Sequence, residues 1–272
     1  MTADKLPIGL FDSGVGGLTV LDAMQRRMPH EDMLYLGDTA RLPYGTKSPD
    51  TITRYALQAT AKLVEQRVKL LVIACNTASS AALPALRRHF APLPVIGVVE
   101  PGASAAVERS RKGHVAVIAT EATIGRGAYQ EALQRLRPNI RVTPRACSLL
   151  VSLAEEGWLD GQECESIVAR YLNPIFTGQD APDCLLLGCT HFPLLLAPIR
   201  KVLGPAVQIV DSAETTAGCV LDELASAGLL RKNNAQGKIR FFTTDDPERF
   251  ARTGSLFLGA SLPIKVVQLV DL

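Results

Sequence analysis

Twice in this chain a short aliphatic run stops at a cysteine followed by small polar residues. The first reads Leu70-Leu71-Val72-Ile73-Ala74-Cys75-Asn76-Thr77, the second Leu185-Leu186-Leu187-Gly188-Cys189-Thr190-His191. Runs this short and this uniformly apolar are strands buried on both faces, the kind found in parallel sheets covered by helices. In an open α/β sheet, ligands bind at the carboxyl ends of the strands. Both cysteines are therefore expected at such ends, beside free backbone N–H groups and hydroxyls. A buried cysteine also serves as a small hydrophobe, but two matched motifs point to two halves that face one crevice.

The remainder alternates strands and helices in the same manner. Strands are expected at 7–11, 32–37, 70–75 and 94–99, with helices over 18–27, 49–66 and 81–90. The pattern restarts at Val115, with strands at 114–119, 140–142, 183–187 and 207–210 and helices around Tyr129 and over 149–158, 161–172 and 194–203. Val99 follows Cys75 at nearly the separation at which Val210 follows Cys189, a weak internal duplication. A helix at 213–227, a basic-polar turn at Arg231-Lys232-Asn233-Asn234, a strand at 238–243, a helix at 247–258 and a strand at 264–270 close the chain. The expected fold class is α/β: two similar lobes, each a mostly parallel sheet covered by helices, with the active site in the crevice between them. Lobe one takes residues 1–99 plus 211–272 and carries the Asp12-Ser13 and Cys75 motifs; lobe two takes 100–210 and carries the Cys189 motif.

Composition narrows the function classes. A hydrophobic share of 47% and a charged share of 21% describe a folded globular protein. The net charge of +2, with no lysine-arginine block, gives no basis for direct nucleic-acid binding. No apolar run approaches the ~18 residues of a membrane helix, and the first residues lack the apolar core of a signal peptide. A soluble cytoplasmic protein with no membrane partner is expected, its six cysteines free thiols. They include no Cys-x-x-Cys pair, so no structural metal is expected.

Asp12-Ser13-Gly14-Val15-Gly16-Gly17 joins a strand to a helix start, an arrangement suited to a carboxylate or phosphate. Its glycine spacing fits neither a dinucleotide fingerprint nor a P-loop, and no cofactor is expected. The loop Asp38-Thr39-Ala40-Arg41-Leu42-Pro43-Tyr44-Gly45 gathers a carboxylate, a guanidinium and a phenol. A thiol whose pKa of ~8.5 is tuned by its neighbours is an acid–base group. A thiolate on one side of a carbon removes a proton and a thiol on the other side delivers one, which inverts a stereocentre. A redox pair and a Cys189 nucleophile with His191 as its base are the competing uses. His191 is also placed to orient Cys189, and Asp12 to do so for Cys75. Charge developing on a weak carbon acid needs fixed donors; Ser13, Asn76, Thr77 and Thr190 are of that type, and equally of the type that caps helices.

Four stretches carry a resemblance: 8–20, 37–45, 74–78 and Gly188-Cys189-Thr190-His191-Phe192-Pro193-Leu194. In these the chain resembles the glutamate racemases of the cofactor-independent aspartate/glutamate racemase superfamily. The resemblance implies interconversion of L- and D-glutamate, supplying D-glutamate for peptidoglycan. It implies Cys75 as the base towards D-glutamate and Cys189 as the base towards L-glutamate, helped by Asp12 and His191 respectively. Glu155 matches a family glutamate near the site, with Ser152 where the family has proline. Substrate contacts are implied for Asp12, Ser13, Tyr44, Gly45, Asn76, Thr77, Thr190 and His191; Thr120 and Thr123 are further candidates. A sister activity on aspartate, and the DNA gyrase inhibition known for some members, stand as alternatives. The oligomeric state is open, a homodimer included.

Overall fold

A computed structural model describes residues 2–233 and 235–272; Asn234, the end of the basic-polar turn, lies outside them. Strand β1 (Ile8–Asp12) leads into α1 (Leu18–Arg27), followed by β2 (Met33–Gly37), α2 (Pro49–Glu65), β3 (Leu70–Ile73), α3 (Asn76–Phe90), β4 (Val95–Gly97) and α4 (Val99–Arg109). A second series runs β5 (His114–Ala119), α5 (Glu121–Arg126), α6 (Ala128–Leu136), β6 (Arg141–Ala146), α7 (Leu149–Glu155), α8 (Gly161–Phe176), β7 (Cys184–Gly188), α9 (Leu196–Leu203) and β8 (Gln208–Asp211). The chain closes with α10 (Ser212–Ser226), β9 (Ile239–Thr243), α11 (Pro247–Leu258) and β10 (Val267–Leu269).

The strands form two sheets, ordered β10-β9-β2-β1-β3-β4 and β6-β5-β7-β8. Every pairing is parallel. The block β2-β1-β3-β4 has the same order as β6-β5-β7-β8, so the duplication is topological. In each block the third strand lies beside the first, and each cysteine motif ends that third strand. Side chains alternate between two cores, as the period of a strand requires. Leu71, Ile73 and Cys75 face one side of the first sheet while Leu70 and Val72 face the other. Leu185, Leu187 and Cys189 share one core of the second sheet, with Cys184 and Leu186 across it.

Several elements differ from the sequence expectation. The strand expected over 94–99 is only β4, and Glu100-Pro101-Gly102, which has the composition of a turn, lies in the first turn of α4. Proline is tolerated there because a first-turn N–H has no intrahelical partner. Helix α3 begins at Asn76, directly after Cys75, not near residue 81. Its early turns read Asn-Thr-Ala-Ser-Ser, a weakly helical stretch that only the surrounding packing holds. β6 is longer than expected and contains Pro144, which an edge strand accommodates. The strand expected over 264–270 opens as a 3-10 turn and is extended only at β10.

Lys69 and Glu31 form a buried ion pair beneath the first sheet, with Lys69 Nζ 2.5 Å from Glu31 Oε2. The ammonium also donates to the carbonyls of Asp4 and Leu229 at 2.9 and 2.8 Å, and Glu31 Oε1 accepts the Arg231 N–H at 2.8 Å. The pair therefore ties four segments, around Asp4, Glu31, Lys69 and Leu229 to Arg231, at one point away from the strand ends that carry the cysteines. Lys69→Met leaves a buried carboxylate unpaired and should cost about 3–5 kcal/mol of stability. Urea unfolding at neutral pH checks this; a loss below about 1 kcal/mol would show that the pair does not anchor these segments.

Candidate active site

Cys75 is the N-cap of α3, its backbone extended and its Sγ accepting the Ala78 N–H at 3.4 Å. The Ser13 hydroxyl lies 3.3 Å from the same sulfur. A helix amino terminus favours a thiolate, yet here burial dominates. Together with the nearby Asp12 carboxyl it pushes the Cys75 thiol up to about 12, against the opposing pull of Ser13 and Ala78. At neutral pH this sulfur carries its proton. Asp12 is itself fully buried, and burial raises its pKa against the field of His191. Its Oδ2 accepts the Gly14 N–H at 2.8 Å. The glycine turn read as an anion site thus receives the chain's own carboxylate. Gly17 is needed for this: a Cβ there would meet Asp12 Cβ at 2.7 Å and Ala74 Cβ at 2.9 Å.

Cys189 ends β7 in the other sheet, with a different set of neighbours. Its Sγ is 3.7 Å from His191 Nδ1, and His191 Nε2 is 3.0 Å from Glu155 Oε1 at the end of α7. The His191 ring meets Phe257 of α11 edge-on, with centroids 5.1 Å apart. Burial acts to lower the imidazole pKa, but its hydrogen bonds with Cys189 and Glu155 win and carry it up to about 10. For Glu155, burial pushes upward and the His191 bond outweighs it, so the carboxyl sits below its ordinary value. A cation is therefore held 3.7 Å from the Cys189 sulfur, where it meets any thiolate that forms.

The polar residues expected between the thiols converge on the same space. A cleft of about 940 Å³ is lined by Ser13, Tyr44, Gly45, Asn76, Thr77 and Thr190 together with Cys75, Cys189, His191 and Glu155. Asp12 lies behind it, one buried carboxylate oxygen without a partner. Asn76 Nδ2 is likewise buried and unpartnered. Thr77, Thr120 and Thr123 place their hydroxyls within 3.0–3.2 Å of one another across the two lobes. The carboxylate, guanidinium and phenol of the loop after β2 bond to one another. Asp38 is fully buried and accepts from Arg41 Nε at 2.6 Å, the Tyr44 hydroxyl at 2.5 Å and Thr244 at 2.9 Å. The guanidinium of Arg41 stacks on Tyr55. The side chains thus brace the loop.

Three contributors went unseen in the sequence. Helix α11 supplies Arg249, Arg252 and Leu256 to the cleft, and the preceding turn supplies Asp245 and Asp246. Their helix shows only ordinary amphipathic spacing. Tyr129 of α6 reaches Asn76 at 2.6 Å; in sequence it is one more apolar-face residue. Among the described residues no three His, Cys, Asp or Glu side chains are grouped to hold a metal, and no helix is long and apolar enough to cross a membrane.

Two parallel-sheet lobes each bring one buried thiol to a shared cleft. A family model for Asp/Glu/hydantoin racemases matches residues 16–220, and the chain belongs to that family. It is 49% identical to a glutamate racemase of Geobacter metallireducens over 94% of this chain and 93% of the relative. Among solved structures it is similar to a glutamate racemase isoform from Bacillus anthracis, with a TM-score of 0.93, 39% identity, and coverage of 99% of this chain and 98% of that one. A Francisella tularensis glutamate racemase in complex with D-glutamate matches with a TM-score of 0.90 and 36% identity over 98% of each chain.

The shifts set a pH window. The folded His191 pKa of about 10 exceeds its ordinary 6.5, so its contribution to stability is full below about pH 6.5 and is lost as pH rises through about 10. Glu155 is shifted down, so its contribution is present above its ordinary 4.5 and fades as pH falls through the lower folded value. In Glu155→Gln the imidazole loses its anionic partner. Its titration midpoint, followed by NMR of the ring protons, should fall clearly below 10, and the alkaline loss of stability should begin at lower pH. An unmoved midpoint would remove Glu155 as the partner of His191.

Proposed function

We propose that the protein interconverts L- and D-glutamate, using Cys75 and Cys189 as the two acid–base groups, and supplies D-glutamate for peptidoglycan in the cytoplasm. The observation that carries this reading is the pair of thiols at equivalent strand ends of the two sheets, both lining one cleft. In this scheme residues 1–99 plus 211–272 form the lobe that carries Cys75, and residues 100–210 form the lobe that carries Cys189. The proton moves between carbon and sulfur, and the scheme takes no cofactor.

With L-glutamate bound, Cys189 acts as a thiolate beside the His191 cation and takes the α-proton. Cys75 is a protonated thiol at neutral pH and delivers its proton to the opposite face. D-glutamate forms, with a thiol at Cys189 and a thiolate at Cys75. To reset, Cys189 gives its proton up to solvent and Cys75 takes one up, a recovery favoured by Asp12, which disfavours the Cys75 thiolate. The reverse reaction runs the same transfers backwards, with Cys75 as the base. The unpartnered Nδ2 of Asn76, the Thr77 and Thr190 hydroxyls and the amino terminus of α3 supply the fixed donors that stabilise charge on the substrate. Ser13 and the Tyr44-Gly45 backbone complete the contacts. The two enantiomers have equal free energy in water. Their kcat/KM values must therefore be equal at every pH, and the difference between the thiols shows only in kcat and KM taken separately.

Purified protein without added cofactor should change the circular dichroism of L-glutamate and leave that of L-aspartate nearly unchanged. Cys75→Ala and Cys189→Ala should each lower racemisation by about 10²–10⁴-fold or more, the range for loss of a general acid or base. In deuterated water, label should enter mainly the product enantiomer. Retention of racemisation in either alanine variant, with free exchange of one enantiomer's own α-proton, would mean that a single base serves both faces.

A further inference from the structure

Asn76 opens α3 immediately after Cys75 and lines the cleft. Its side-chain oxygen accepts the Tyr129 hydroxyl at 2.6 Å, while its Nδ2 is buried with no partner. Tyr129 comes from the opposite lobe, on α6, and is fully buried. Two glycines leave room for its ring. A Cβ on Gly188 would lie 3.0 Å from Tyr129 Cε2, and one on Gly102 would lie 3.4 Å from both Cε1 and the hydroxyl. Gly188 directly precedes Cys189, so this one ring rests against the Cys189 strand and reaches the residue beside Cys75.

We propose that Tyr129 is a positioning residue that locks the Asn76 amide with its oxygen turned inward and its NH₂ offered to the substrate. The inference rests on the proposed racemase reading and extends it. An amide has two orientations of nearly equal shape. Turned the wrong way, it presents a carbonyl to an anionic substrate. A phenol is suited to holding the right orientation. Burial, and then proximity to Cys189, raise its pKa well above the ordinary value, so it stays a neutral donor at any working pH. Held rigidly between α4 and β7, it gives up little freedom on bonding.

Tyr129→Phe keeps the ring and removes the donor. KM for both enantiomers should rise roughly five- to tenfold, the worth of one buried hydrogen bond, with kcat changed less than about twofold. In an Asn76→Ala background the same substitution should have almost no further effect on KM. Equal effects in both backgrounds, or an unchanged KM, would overturn the assignment. Asn76→Asp is a second test that leaves Tyr129 intact, in case Tyr129→Phe does not fold. Its inward oxygen can still accept from the phenol, but the outward group becomes an acceptor, so KM should rise at least as far as in Asn76→Ala. Wild-type affinity in that variant would also overturn it. Racemisation of L-glutamate by the wild type is measured in the same series, and its absence would fault the proposed reaction, separately from Tyr129.

Discussion

Gly16 packs so tightly against the Thr190 hydroxyl and the His191 ring that a Cβ at this position would overlap both. That close approach holds the Cys189 motif against the turn that carries Asp12 and Ser13, and most of the site depends on it. Around it the lobes are joined by short polar contacts. Thr19 donates to the Thr190 carbonyl at 3.1 Å, Gly45 lies against Thr120, and three threonine hydroxyls meet at the mouths of α3 and α5. Such contacts are directional, and a small change in lobe spacing would break several at once. Groups that act on one carbon from two sides need placement to a fraction of an ångström, and packed interfaces supply it because they do not deform continuously.

The two lobes share strand order, yet the sulfurs stand in different electrostatic surroundings. Cys75 sits at a helix terminus with a buried carboxyl and a serine, and its proton is held tightly. Cys189 has an imidazole tied to a carboxylate, which brings positive charge to the sulfur. A duplicated scaffold therefore positions the thiols symmetrically while local side chains bias where the proton rests. The bias opposes two thiolates in one small space, a state that Coulomb repulsion makes costly.

Much of this was legible from periodicity and local chemistry. Leu70 to Cys75 and Leu185 to Cys189 announce buried parallel strands whatever surrounds them, because an apolar run of that length has few other places to go. The placement of Ser13, Asn76 and Thr190 near the thiols follows, since each adjoins a strand end. Other features resisted reading for identifiable reasons. Helix α4 was hidden because Glu100-Pro101-Gly102 has the composition of a turn, and proline and glycine in a first helical turn carry the same local signal as a terminator. The partner of the glycine turn was hidden because free N–H groups do not reveal which carboxylate will take them; Asp12, two residues away, takes that of Gly14.

By itself the sequence determined the alternation of strands and helices, the restart in the second half, and the identity of the two thiols. All are set by short-range patterns of apolar and polar residues. Tertiary structure decided which groups surround each sulfur. His191 lies between Cys189 and Glu155, a residue 36 positions away, Tyr129 meets Asn76 across the lobe boundary, and Arg41 and Tyr44 both bond the buried Asp38. The physical reason is that hydrogen bonds and desolvation depend on separation in space. The pattern along the chain specifies which faces are buried, but only the docking of the two sheets fixes which polar atoms come within 3 Å of one another.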